Sequence, residues 1–189
     1  MHRPLLVIFT GVPGSGKTFF ATRLSQRLGA VRRNSDAMRL AIFGDLKTIE
    51  NTYHSAQRAT LNTHTFGALD YVTRELLGSG TDVVYETIQR TQKDRRHMEI
   101  LAEECGARLV LVSMEIDDET AISRVQKRKE ARDVRQFDAK KAREVINYFR
   151  EGTEPFERTD YIVNIDGTAA FDEQYAAFMV HVKERENDQ

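Results

Sequence analysis

The sequence predicts an α/β fold in which helices cover both faces of a parallel sheet. Two observations carry that expectation. Short apolar runs alternate with longer helix-period segments along the chain, and the first apolar run ends in a glycine-rich turn that opens a helix. Length is the third observation, since 189 residues suit one core and argue against a second full domain, so residues 1–189 are read as a single domain.

Leu5 to Phe9 is continuously apolar, as a strand buried on both faces should be, and is the expected central strand. Phe20, Leu24 and Leu28 recur every four residues with Gly29 behind them, which predicts a helix from Thr18 to Leu28 and its stop. A short strand near Ala30 to Arg33 follows, then a helix from Asp36 to Phe43 that closes at Gly44. Thr52 to Leu77 reads as one long amphipathic helix ending before Gly78-Ser79-Gly80. These helices, about 36–77, are expected to cover a substrate. Asp82 to Glu86 and Arg108 to Glu115 are strands with a helix from about Lys93 to Glu104 between them. Asp118 to Lys129 reads as a helix, the charge-dense Glu130 to Gln136 as a mobile segment, and Asp138 to Arg150 as a further helix. Tyr161 to Ile165 supplies the last of five strands, and Phe171 to Arg185 a closing helix.

Basic residues number 28 and acidic residues 29, so no global field recruits nucleic acid or anionic membrane. Cys105 is the only cysteine, which rules out an intrachain disulfide and fits a reducing compartment. No apolar run approaches the roughly 18 residues of a membrane helix. The chain is read as soluble, cytoplasmic and without a membrane partner.

Gly11-Val12-Pro13-Gly14-Ser15-Gly16-Lys17-Thr18 matches G-x-x-x-x-G-K-[ST] in full, after an apolar strand and before a helix. Glycines let backbone N–H groups converge on an anion, and the helix adds the positive end of its dipole. Lys17 is then expected to reach the β and γ phosphates of ATP, and the Thr18 hydroxyl to ligate Mg²⁺. Gly11, Pro13, Gly14, Ser15, Gly16, Lys17, Thr18 and the adjoining Phe19 are the expected nucleotide contacts. A glycine-rich turn heading an ordinary helix is the plainer alternative.

A phosphate loop does not choose among a motor, a switch and a small-molecule kinase. No N-K-x-D tetrapeptide is present, which weakens a GTPase switch, and Val83-Val84-Tyr85-Glu86-Thr87 offers one strand-end acid where motors carry a pair. Asp36 and Arg39 follow the second strand one helical turn apart. Strand ends of a parallel sheet share one crevice, so this pair could face the γ-phosphate, a carboxylate for the acceptor proton and a cation for the developing charge. Ser35 or Asp36 acting as a helix cap, with Arg39 solvated, is the competing reading.

The phosphate loop, Ser35-Asp36-x-x-Arg39, Tyr85-Glu86-Thr87 and Arg124-x-x-x-Arg128 together resemble the AAA-type P-loop kinases. That group includes the polynucleotide 5′-hydroxyl kinase domain and is similar to zeta toxins, gluconate kinase and chloramphenicol phosphotransferase; the resemblance spans about Leu5 to Thr168. It implies a P-loop NTPase sandwich, nucleoside/nucleotide-kinase-like, with Asp36 as general base and Arg39 on the acceptor or the transferred phosphoryl group. It also implies catalysis by Lys17 and Arg128, and a lid over about 124–137 that brings Arg124 and Arg128 to the phosphates. Glu86 stands where the family usually has aspartate, and either serves the metal with Thr18 or reaches the acceptor. The loop at Gly167 and Thr168 is expected to line the adenine pocket.

The expected activity is transfer of the γ-phosphoryl group of Mg-ATP to a hydroxyl of an unidentified acceptor. Near-neutral charge and zero tryptophans disfavour a nucleic acid 5′ end. A sugar, nucleoside or antibiotic is at least as good a candidate. An ATP-driven switch or ATPase read by a protein partner, and a toxin-like kinase of a nucleotide sugar, are the alternatives. The five histidines make no metal spacing with Cys105 or with one another, and Cys105 reads as a packing residue. Tyr53, Gln57 and Arg58 are weaker substrate candidates.

Overall fold

The computed structural model describes residues 3–53, 55–127, 137–157 and 161–187. Five strands, β1 (Leu5–Thr10), β2 (Val31–Asn34), β3 (Val83–Ile88), β4 (Arg108–Glu115) and β5 (Ile162–Asp166), form one sheet in the order β2-β3-β1-β4-β5. Every pairing is parallel. β1 is central and wholly buried, as its unbroken apolar run requires.

Side-chain alternation along the strands feeds two cores. Val7, Phe9, Val112 and Val163 meet Phe20 and Leu24 of α1 (Lys17–Leu28) and Phe178 of α8 (Phe171–Asn187) on one face. Leu6, Ile8, Tyr85 and Leu111 meet Leu69 of α4 (Arg58–Gly78) and Leu101 of α5 (Gln92–Glu104) on the other. A third cluster joins Val12 to α6 (Asp118–Gln126) and α7 (Ala139–Glu151) at one end of the sheet.

Two expectations need correction. Thr52 to Leu77 is not one helix: α3 (Leu46–Tyr53) ends and α4 starts at Arg58. Ser55 separates them, its hydroxyl donating to the Thr52 carbonyl at 2.8 Å and accepting the Gln57 N–H at 3.2 Å, so side-chain bonds replace the helical ladder there. α3 itself begins behind Asp45, which accepts the Thr48 N–H at 2.8 Å and whose carboxyl pKa is lowered chiefly by that bond. The second correction is at β3, which runs on past Glu86 to Ile88. Its register against β1 jumps from Ile8 opposite Tyr85 to Phe9 opposite Ile88, leaving Glu86 and Thr87 without β1 partners. The expected mobile segment Glu130 to Gln136 lies outside the described residues.

Among the described residues no helix is long and apolar enough to cross a membrane. α2 (Ser35–Phe43) packs on α3 and α4, and α4 reaches β2 and β3, so the three helices stand beside the open end of β2 and β3.

Candidate active site

The turn after β1 is built by backbone conformations that side chains resist. Gly14 has φ 88° and a Cβ there would lie 2.6 Å from the Ala121 carbonyl oxygen, so only glycine lets α6 approach the loop. Gly16, also left-handed, heads α1. The Lys17 ammonium folds over the loop and donates to the carbonyls of Gly11 at 2.8 Å and Val12 at 2.7 Å. That places a cation at the mouth of the loop, where the backbone N–H groups of a phosphate cradle open.

Thr18 carries the metal argument. Its hydroxyl donates to Glu86 Oε1 at 2.5 Å, which leaves the oxygen lone pairs for a hard cation. Glu86 is buried, and its second oxygen accepts from Arg32 Nε at 2.6 Å. A carboxylate so placed fits the outer shell of a Mg²⁺ that Thr18 would hold. Arg32 escaped the sequence reading because its partner is 54 residues away and only the β2–β3 pairing brings the two together.

The helix cap at α2 is neither Ser35 nor Asp36. Asn34 takes that role, its side chain accepting the Ala37 N–H at 2.9 Å. Asp36 is left to accept from Arg39 Nη1 at 2.8 Å; its side chain is 65% exposed while that of Arg39 is 8% exposed. Arg39 lies under the Phe66 ring, 5.4 Å from its centroid, and donates to Asn62 at 3.4 Å. Lys17, Thr18, Asp36, Arg39 and Glu86 line one cavity of ≈ 390 Å³, with Arg90 and Phe149 on its far wall. The Arg90 guanidinium sits 4.5 Å from the Tyr148 ring and 4.8 Å from the Phe149 ring, and its bond to the Tyr148 hydroxyl lowers that phenol's pKa.

A second cavity of ≈ 460 Å³ opens on the other side of the loop, lined by Gly14, Gly16, Lys17, Thr18, Phe19, Arg124, Gly167 and Ala169. Arg124 Nη1 donates to the carbonyls of Gly167 at 2.8 Å and Gly14 at 3.4 Å, tying the loop after β5 to the phosphate loop. Half-exposed Phe19 carries Arg23 over its ring at 4.6 Å. The Thr168 hydroxyl is turned away to Asp166, donating at 2.6 Å, and that bond holds the Asp166 carboxyl below its ordinary pKa. Arg128, Arg132 and Arg135 lie outside the described residues. His64 and His97 are both exposed, and His97 meets Asp70 at 2.7 Å. Cys105 packs against the α4–α5 core, and burial raises its thiol pKa.

An AAA-domain family model matches residues 6–155. The chain belongs to this family. An adenylate kinase of Thermus thermophilus is 28% identical over 176 residues, covering 90% of this chain and 92% of that protein. Among solved structures, a gluconokinase from Sinorhizobium meliloti superposes with a TM-score of 0.65 at 14% identity, covering 99% of this chain and 95% of that one. The APS kinase of Mycobacterium tuberculosis, solved with AMPPNP and APS, gives 0.65 at 16% identity over 97% and 99%. The fold is therefore that of the P-loop kinases, and this AAA-domain chain is a kinase-like P-loop nucleotide-binding protein.

Proposed function

We propose that this AAA-domain protein transfers the γ-phosphoryl group of Mg-ATP to a hydroxyl of a small acceptor, with Asp36 as general base. The single observation that carries the reading is the release of Asp36 from capping duty by Asn34, in the cavity that also holds Lys17 and Thr18. The acceptor O–H gives its proton to the Asp36 carboxylate while its oxygen bonds the γ-phosphorus. The bond from phosphorus to the β–γ bridging oxygen breaks, and ADP leaves with that electron pair. Arg39, held by Asp36 and the Phe66 face, aligns the acceptor oxygen and meets the charge spreading over the transferred group. Lys17 would exchange the Gly11 and Val12 carbonyls for phosphate oxygens, and Thr18, oriented by Glu86, would hold a Mg²⁺ that neutralises phosphate charge. Arg124, Phe19, Gly167 and Ala169 border the nucleoside. In this reading the site works in the cytoplasm as part of one domain, and the helices about 36–77 cover the acceptor.

The adenylate kinase likeness favours a second acceptor, the phosphate oxygen of adenylate, which is already ionised and needs no base. ADP formation from Mg-ATP, with sugars, nucleosides, antibiotics, 5′-hydroxyl oligonucleotides or adenylate added singly, separates the two. Stimulation by one hydroxyl compound, reduced about 100-fold or more in Asp36→Asn with ATP affinity retained, supports the base. Stimulation by adenylate that persists in Asp36→Asn replaces the hydroxyl reading with the second. Stimulation by nothing in the panel removes both.

A further inference from the structure

The acceptor cavity continues past Arg39 into a further chamber of ≈ 480 Å³ between α4, β3 and α5, the two sharing Arg39, Phe66, Thr87, Ile88 and Arg90 as their common wall. Its polar groups are unequally engaged. Asp70 has both oxygens occupied, one accepting the Tyr85 hydroxyl at 2.7 Å and the other facing His97 Nε2 at 2.7 Å. Asp94 accepts the Thr91 N–H at 3.1 Å in the capping box of α5. The Gln89 amide donates to the Thr87 hydroxyl at 2.5 Å. Asp70 is thus wholly committed to the protein's own donors and Asp94 through one oxygen, which leaves little for the hydroxyls of a neutral polyol. Lys93, an exposed residue four before His97 on the same face of α5, lines this chamber and makes no hydrogen bond or ion pair among the described residues.

We propose that this chamber holds an anionic group of the acceptor, a carboxylate or a phosphate, remote from the oxygen that is phosphorylated. Lys93 supplies the charge, the Arg90 N–H groups not given to Tyr148 supply directional donors, and Asp70 holds one nitrogen of the His97 ring at the chamber wall. The acceptor class is therefore a hydroxy acid or a phosphorylated alcohol, its hydroxyl at Asp36 and its anion at Lys93. The assignment of ends rests on the phosphotransfer reading above; the anion site itself does not.

The probe is inorganic phosphate, added at constant pH and ionic strength to the full chain whose phosphate loop is first filled with Mg-AMPPNP. The His97 ring resonances, assigned by their loss in His97→Gln, report the chamber. A saturable shift, with half-saturation raised about fivefold in Lys93→Gln, is expected. A shift that does not saturate, or a curve unchanged in Lys93→Gln, overturns the anion site. Failure of Mg-AMPPNP to bind at the outset counts against the proposed phosphotransfer, a separate outcome from a silent His97 in the nucleotide-filled protein.

Discussion

Glu86→Gln tests the metal side of the site, because the two hydrogen bonds of this buried carboxylate cannot both survive as an amide. Glu86 accepts twice, from the Thr18 hydroxyl and from Arg32. If the amide oxygen stays with Arg32, the NH₂ group donates to Thr18 and occupies a lone pair that a metal would need. If the amide turns over, NH₂ faces the guanidinium, donor against donor. Either rotamer forfeits one hydrogen bond to a charged group, about 1.5–3 kcal/mol, which is about a ten- to one-hundred-fold weakening of Mg²⁺ in the nucleotide complex. Folding stability should change little, since the Arg32 side chain is 32% exposed and regains water. Titration of Mg²⁺ into the protein with ATP held saturating reads the first quantity and urea melts the second. Unchanged Mg²⁺ affinity with a clear loss of stability would refute the metal role and leave Glu86 as a structural acid.

Gly167→Ala should couple stability to nucleotide affinity, because its Cβ would lie 2.2 Å from the Ser15 carbonyl oxygen and 2.9 Å from that of Glu115. A cost of about 1–3 kcal/mol is expected in urea melts, with weaker ATP binding by calorimetry. Gly78→Ala, where a Cβ meets nothing within 4 Å, should instead be neutral or stabilise by up to about 1 kcal/mol. Tyr85 has its phenol pKa pushed up from 10.0, by burial first and by Asp70 second. Its folded form keeps the proton that the unfolded chain releases, so stability holds below about pH 10 and falls above it by up to about 1.4 kcal/mol per pH unit. Tyr85→Phe should flatten that alkaline slope in denaturant melts.

The sheet and the phosphate loop were legible because each is written locally. Leu5 to Phe9 is apolar without a break, and the loop's glycines precede the lysine and threonine within eight residues. β4 begins and ends at the expected residues for the same reason. What escaped depends on distance or on competition between near-equivalent residues. Asn34, Ser35 and Asp36 are all good caps, and only the backbone of Asn34, extended at φ −128° and ψ 131°, decides among them. The break between α3 and α4 rests on Ser55, whose hydroxyl has the choice of backbone partners that a periodicity reading ignores. Arg32 against Glu86 and Arg90 against Tyr148 are contacts across 54 and 58 residues, and no local pattern announces either. The contact of exposed His97 with Asp70 is likewise unannounced, because Asp70 belongs to another helix.

The irregular register of β3 bears on how such a chain changes over generations. Ladder bonds hold a strand to one alignment, and a length change inside them flips every later side chain to the wrong face. Glu86 and Thr87 stand outside the β1 ladder, and pairing resumes at Ile88. Change at Thr87, which lines both cavities beyond the loop, therefore alters their shared wall without unsettling the central strand, whereas Glu86 remains tied to Thr18. On the proposed phosphotransfer, the phosphate loop can persist while the wall beyond it drifts, so a lineage can change acceptor by small steps, each of which still folds.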